Sequence, residues 1–300
     1  MNHQELPQNS MNKNFKIFSG RASLIGDTIM FLPVLNYLEL KYPNSYKIFP
    51  ISQKTSQSAP LFINHPLIDR IHILGEYEGL SPKDMDLIKS CNIFINPFPQ
   101  HPDVHDWWNY YNCVEETFRM AGFDINEFRS MPEESKKPKL DKWFKIEKYE
   151  KTIAVWPFAG YNQSSTRNPS KIWWEKTLKD IENNFNVKIF HFGAESEPNL
   201  GKDLKNYSNI TNLSFFEMIK MTLGCDLMIG TDSGSSWVIG AYGFPQINLI
   251  IKNAPNHFQN LEAFVPENFL NNKIDLFGLD GTDSISSGEI INNLKNFYGN

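Results

Sequence analysis

Cysteine is scarce in this chain: Cys91, Cys113 and Cys225 are the only three among 300 residues. They are widely spaced and form no C-x-x-C pair. That pattern excludes a disulfide scaffold and a thiolate-built structural zinc, and it points to a reducing compartment with the thiols in the core. Long apolar runs are missing too. No stretch approaches the ~18 to 20 apolar residues that cross a bilayer, and residues 1–14 are polar, without the apolar region of a secretory leader. They read as a frayed tail on a cytoplasmic protein. Nor is there an excess of positive charge: the formal net charge is −5. This argues against nucleic acid as a partner while leaving room for local phosphate sites. No internal repeat recurs at a short fixed period.

What the chain does have is apolar and aromatic mass. With 41% hydrophobic and 14% aromatic residues it can bury large cores, and 300 residues suit two α/β domains better than one. Short apolar runs at Phe15 to Ser19, Tyr46 to Ile51, Arg70 to Leu74 and Asn92 to Asn96 alternate with helical spacing around Thr28 to Lys41, Ser81 to Ser90 and Trp107 to Ala121. A second series follows, with strands at Thr152 to Pro157, Val187 to Phe192, Leu227 to Ile229 and Gln246 to Ile251. Its helices fall at Lys171 to Asn184, after a capping box from Ser214 to Glu217, and near Ser286 to Phe297. Such alternation predicts parallel sheets with helices on both faces. The charged stretch from Asp124 to Lys148 reads as a linker, giving domains over 15–148 and 149–300, with the last helix free to pack back on the first domain.

The second series is organised around Asp226-Leu227-Met228-Ile229-Gly230-Thr231-Asp232-Ser233-Gly234-Ser235-Ser236. The unalternating apolar run predicts a strand covered on both faces, and Asp232 or Ser233 stands where a helix N-cap belongs. A small-residue turn opening a helix presents unpaired backbone N–H groups, a seat for a phosphate or another anion. An ordinary β-turn-α connection has the same pattern. Two further loops leave strand ends on the side where open α/β sheets bind ligands: Gly20 to Asp27, and Phe158 to Ser170. Asp27 is either a general base or simply the cap of a helix starting at Thr28. Pro33 should kink that helix or mark its first turn.

Three motifs carry a resemblance. Gly26-Asp27-Thr28-Ile29-Met30-Phe31-Leu32-Pro33-Val34-Leu35 with Tyr42-Pro43, the weaker His65-Pro66-Leu67-Ile68-Asp69-Arg70-Ile71, and Cys225 to Gly234 continued by Ala241-Tyr242-Gly243-Phe244-Pro245 occur in the order and spacing of family nine glycosyltransferases. The chain resembles the ADP-heptose:lipopolysaccharide heptosyltransferases over roughly residues 15 to 255. That resemblance implies a GT-B architecture, two Rossmann-like domains facing across a cleft. It also implies an inverting, metal-independent transfer of a heptose or hexose from a nucleotide-diphosphate sugar to a glycan or lipopolysaccharide-type acceptor, with no cofactor and with any membrane association coming through the acceptor. Asp27 then matches the general base, and Thr231, Asp232, Ser233, Gly234 and Ser235 the donor turn. Arg167 or Lys171 matches the diphosphate cation.

Where the family has Pro, a variable residue and His after the Asp-Ser-Gly turn, this chain has Ser235, Ser236 and Trp237. The departure keeps two alternatives in view: an epimerase or hydrolase of sugar nucleotides on the same plan, or a catalytically inactive sugar-nucleotide or glycan-binding protein. His101-Pro102-Asp103-Val104-His105-Asp106 has metal-like spacing but too few ligands for a closed site. With Gly26, His101 and His105 are expected in loops on the acceptor side. Trp107, Trp108, Tyr110 and Tyr111 would serve a core or stack on a sugar.

Overall fold

The computed structural model describes residues 14–76, 79–98, 113–159, 168–251, 273–278 and 281–299. The chain divides into two compact units, the first containing the described residues to 98 and Val114–Trp143, the second beginning at Phe144. Among the described residues no helix is long and apolar enough to cross a membrane.

The first unit is built on a four-stranded sheet of β1 (Lys16–Phe18), β2 (Tyr46–Ile51), β3 (Arg70–Ile73) and β4 (Ile93–Phe94), in the order β3-β2-β1-β4. Every pair is parallel, with Ile17 opposite Lys47 on one side and Ile93 on the other. From β1 the chain runs to β2 on one side and later to β4 on the other. The loop leaving β1 therefore sits where the strand order reverses, the usual ligand crevice of an open parallel sheet. Ile17 and Phe18 are fully buried, as expected of a strand covered on both faces.

Around this sheet lie α1 (Ile25–Met30), α2 (Leu32–Lys41), α3 (Pro82–Lys89), α4 (Cys113–Met120) and α5 (Ile125–Arg129). The expected single helix from Thr28 to Lys41 is two, parted at Phe31, with Pro33 in the first turn of α2. There its missing N–H costs no hydrogen bond. The family-like His65 to Ile71 stretch is a turn feeding β3: His65 Nδ1 accepts from the Leu67 N–H at 3.2 Å and Asp69 Oδ2 from the Lys47 N–H at 2.8 Å. The charged stretch expected as a linker contains α5 and a short 3-10 turn, Glu133–Lys136. It is held to α2, where Asn36 donates to the Ser135 carbonyl at 2.8 Å.

The second unit carries six parallel strands: β5 (Thr152–Trp156), β6 (Lys188–Phe192), β7 (Tyr207–Ile210), β8 (Leu227–Thr231), β9 (Gln246–Ile251) and β10 (Lys273–Gly278), in the order β10-β9-β8-β5-β6-β7. Here the reversal falls between β5 and β8, so the turns that follow those two strands flank the crevice. Helices α6 (Lys171–Asn184) and α9 (Ser287–Tyr298) cover one face, where Trp174, Leu178, Ile181 and Leu294 close over Val155 and Ile229. On the other face Trp156 stacks on Phe192 and donates its indole N–H to Thr222 of α7 (Phe215–Gly224) at 2.9 Å. The last described helix packs on α6. The sequence reading omitted β7 and β10, the two edge strands of this sheet.

Candidate functional site

The exit from β1 is shaped by close backbone contact. A Cβ on Gly20 would lie 2.7 Å from Pro50 Cδ, so only glycine fits there. The chain then crosses toward β4, with the Ala22 N–H on the Pro97 carbonyl at 2.9 Å. The Thr28 hydroxyl bonds back to the carbonyls of Arg21 at 2.9 Å and Leu24 at 3.1 Å. Helix α1 begins at Ile25, capped by the backbone of Leu24 without a side-chain bond.

This corrects the expectation that Gly26 and Asp27 belong to the loop and that Asp27 caps a helix starting at Thr28. Both lie inside α1, and Asp27 is its third residue, with Oδ2 accepting from the Leu24 N–H at 3.3 Å. Leucine has no acceptor for the N–H groups of the first turn, and the Asp27 carboxylate makes the other half of a capping box by accepting the N–H of the cap residue itself. Its other oxygen, Oδ1, faces the Arg21 guanidinium at 3.4 Å. The Asp27 side chain remains 18% exposed. Arg21 was not singled out in the sequence; its one signal is a lone charge among small residues six positions before Asp27.

In the second unit β8 delivers Thr231 to the crevice, and α8 (Gly234–Ala241) starts three residues on. Of the two candidate caps the structure selects Ser233, which takes an extended conformation. The Trp237 N–H donates to the Ser233 carbonyl at 3.2 Å as the first bond of α8, so the N–H groups of Gly234, Ser235 and Ser236 have no acceptor within the helix. The Ser233 and Ser235 hydroxyls share a hydrogen bond of 2.7 Å beside them. Ser236 was not singled out either. Its hydroxyl donates to the Thr231 carbonyl at 2.6 Å, bracing the turn from within. The Thr231 hydroxyl is fully buried and has no partner among the described residues. Trp237 is 3% exposed, a core side chain of α8.

The loop after β5 is described only at its ends. Asn168 Oδ1 accepts from the Ala159 N–H at 2.7 Å and ties the two ends together. Ser170 then caps α6 through a bond from the Trp173 N–H at 3.2 Å. Lys171 opens α6 with its ammonium 3.5 Å from Glu175, both half exposed. The tryptophans that follow are anchors: Trp174 is fully buried and donates to the Pro157 carbonyl, and Trp173 donates to Ile285 at 2.9 Å. Arg167, with Ser164, Ser165 and Thr166, lies outside the described residues, as do His101, His105 and the aromatics from Trp107 to Tyr111.

Among the described residues no three His, Cys, Asp or Glu side chains group as metal ligands would. Cys225 is buried; desolvation, with Asp226 adding to it, pushes its thiol up to about 12, so it stays protonated and inert. Burial also raises the half-buried Cys91.

No protein-family model matches the chain, and no curated protein sequence matches it. Solved structures do. The E. coli ADP-heptose lipopolysaccharide heptosyltransferase II aligns over 94% of this chain and 98% of its own at a TM-score of 0.68 and 14% identity. A family nine glycosyl transferase from Veillonella parvula aligns over 97% and 99%, at 0.63 and 12%. The E. coli heptosyltransferase WaaC, solved with ADP, aligns over 94% and 100%, at 0.61 and 9%. The chain therefore has the α/β fold of the heptosyltransferases, that of the GT-B glycosyltransferases.

Proposed function

We propose that this protein is an inverting glycosyltransferase that moves a heptose or hexose from a nucleotide-diphosphate sugar to a glycan or lipopolysaccharide-type acceptor. The observation that carries the reading is the open N-terminus of α8 at the strand-order reversal of the second sheet, with the Ser233 and Ser235 hydroxyls beside it. Backbone N–H groups aimed at one point favour a diphosphate and stabilise the charge that grows on it as it leaves. Support for a nucleotide comes from the fold, since one of the proteins that share it was solved with ADP.

In the proposed reaction the acceptor hydroxyl attacks the anomeric carbon from the face opposite the diphosphate. The new C–O bond forms as the bond to the phosphate oxygen breaks, so the configuration inverts. Asp27 takes the hydroxyl proton, and the electron pair of the broken bond leaves with the diphosphate. Gly234, Ser235 and Ser236 N–H groups with Lys171 or Arg167 neutralise that leaving group, the part a metal plays elsewhere, and no metal or other cofactor is required. The acceptor would meet Asp27 on the first domain, with His101 and His105 in an acceptor-side loop. A cytoplasmic location, with membrane association through a lipid-linked acceptor, suits such a donor.

Thermal unfolding against ADP-, GDP-, UDP- and CMP-linked sugars, followed by transfer assays with the donor that stabilises, tests the proposal. One donor should raise the melting temperature by mass action. Asp27→Asn should bind that donor unchanged and lose turnover. Near-normal turnover by a folded Asp27→Asn would remove the base assignment, and donor binding without transfer to any acceptor would make this a binding protein.

A further inference from the structure

We propose that Arg21 is a positioning residue that fixes the Asp27 carboxylate for proton transfer; this rests on the reading of Asp27 as the base. The two oxygens of Asp27 are held separately, Oδ2 by the Leu24 N–H at 3.3 Å and Oδ1 by the Arg21 guanidinium at 3.4 Å. A carboxylate gripped at one oxygen can exchange between side-chain rotamers, whereas one gripped at both keeps a single rotamer and presents its remaining lone pairs in one direction.

Arg21 can serve as that second grip because it is itself tied to several elements. Its carbonyl accepts the Thr28 hydroxyl of α1, and the next residue, Ala22, is pinned to Pro97 beyond β4. Its guanidinium donates to Thr117 Oγ1 of α4 at 3.1 Å. Its side chain is only 13% exposed, so it is not a freely solvated surface charge. The contact with Thr117 alone asks for no more than a neutral donor. Among the described residues Asp27 is the carboxylate that its charge faces, through the guanidinium nitrogen not used by Thr117.

A competing account is that Arg21 merely ties α4 to the β1 exit. The two separate in a double-mutant cycle on turnover. Arg21→Ala should lower kcat by roughly tenfold to a hundredfold, the scale of a small misplacement of a reacting group, with KM for the donor within about twofold. Arg21→Lys should recover part of the loss, and so should free guanidinium ion added to Arg21→Ala. In an Asp27→Asn background Arg21→Ala should cost nothing further. Losses that multiply in the double variant, or that appear in KM and melting temperature instead of kcat, would overturn the proposal.

A second measurement stands apart from turnover. Three-bond couplings to the Asp27 carboxyl carbon should report one fixed side-chain rotamer in the wild type and averaging in Arg21→Gln. Unchanged couplings would sink the positioning role even in an active enzyme. Absence of transfer by the wild type with every donor would sink the transferase reading while leaving the coupling result to stand on its own.

Discussion

The Ser236 hydroxyl donates to the Thr231 carbonyl at 2.6 Å, so the turn that opens α8 is closed from inside by a buried side chain. Ser233 and Ser235 bond to each other on the same turn. The division of labour predicts opposite responses to alanine. Ser236→Ala leaves the Thr231 carbonyl unpaired on the inner side, which costs about 1–3 kcal/mol of stability, and it should weaken nucleotide binding only through the loosened turn. Ser235→Ala should unfold like the wild type and weaken nucleotide binding directly. Melting curves with and without nucleotide check both; equal stability of Ser236→Ala and the wild type would refute the bracing role.

Lys171 supplies a second test of the donor side. Its pairing with Glu175 is a half-exposed i,i+4 contact of the kind worth about 0.3–0.5 kcal/mol, so the ammonium is cheaply released to a diphosphate. A charge-assisted bond to the ligand is worth about 1.5–3 kcal/mol, and Lys171→Ala should therefore raise the Kd for the nucleotide sugar by roughly tenfold or more. Calorimetric titration gives the answer. Unchanged affinity would hand the role to Arg167.

These tests concern residues whose types and spacing were legible in the sequence, and the limits of that legibility have physical causes. Strands β5 and β8 showed because both faces are buried and the apolar run is unbroken. The Ser214 and Glu217 capping box showed because both partners are side chains with acceptors. Asp27 was set outside its helix because Leu24, the true cap, lacks an acceptor and gives no signal. The edge strands β7 and β10 were missed because an edge is buried on fewer sides: Asn209 of β7 is exposed, and Ile274 of β10 is 40% exposed. Helix α5 is only five residues long, too short to show a period. Its order comes from partners distant in sequence, such as the bond between Tyr37 and Glu127.

Asp84 predicts how the first unit responds to acid. Burial alone would push its carboxyl up, but the Ser81 hydroxyl, His72 Nε2 at 2.6 Å and the backbone N–H groups of Ser81 and Gly75 together hold it below the ordinary carboxylate range. A folded-state value below the unfolded one adds stability above the unfolded value, about 3.9, and that stability fades as pH falls through the folded value. Asp84→Asn should destabilise the fold at neutral pH by about 1.5–3 kcal/mol and show a shallower loss of stability below about pH 4. Urea midpoints measured across that range decide it, and parallel acid limbs for both proteins would contradict the assignment.

The alkaline limb belongs to the second unit. Tyr207 lies between His191 and the Leu200 N–H, which donates to its oxygen at 3.3 Å. The Tyr207 hydroxyl shares a further hydrogen bond with His191 Nδ1. Burial pushes the Tyr207 hydroxyl up to about 12, whereas an unfolded tyrosine ionises near 10. Between those values the unfolded chain binds fewer protons, so stability falls as pH rises and the contribution is intact below about 10. Cys225 and Tyr298, also raised by burial, steepen the same limb, so the informative quantity is the difference between wild type and Tyr207→Phe. Phenylalanine leaves the Leu200 N–H and His191 Nδ1 unpaired and should cost about 1–3 kcal/mol at neutral pH. The gap between the two proteins should then narrow from about pH 10 upward, as the wild type loses what the variant never had. A gap that stays constant to pH 12 would show that Tyr207 does not keep its proton in the fold.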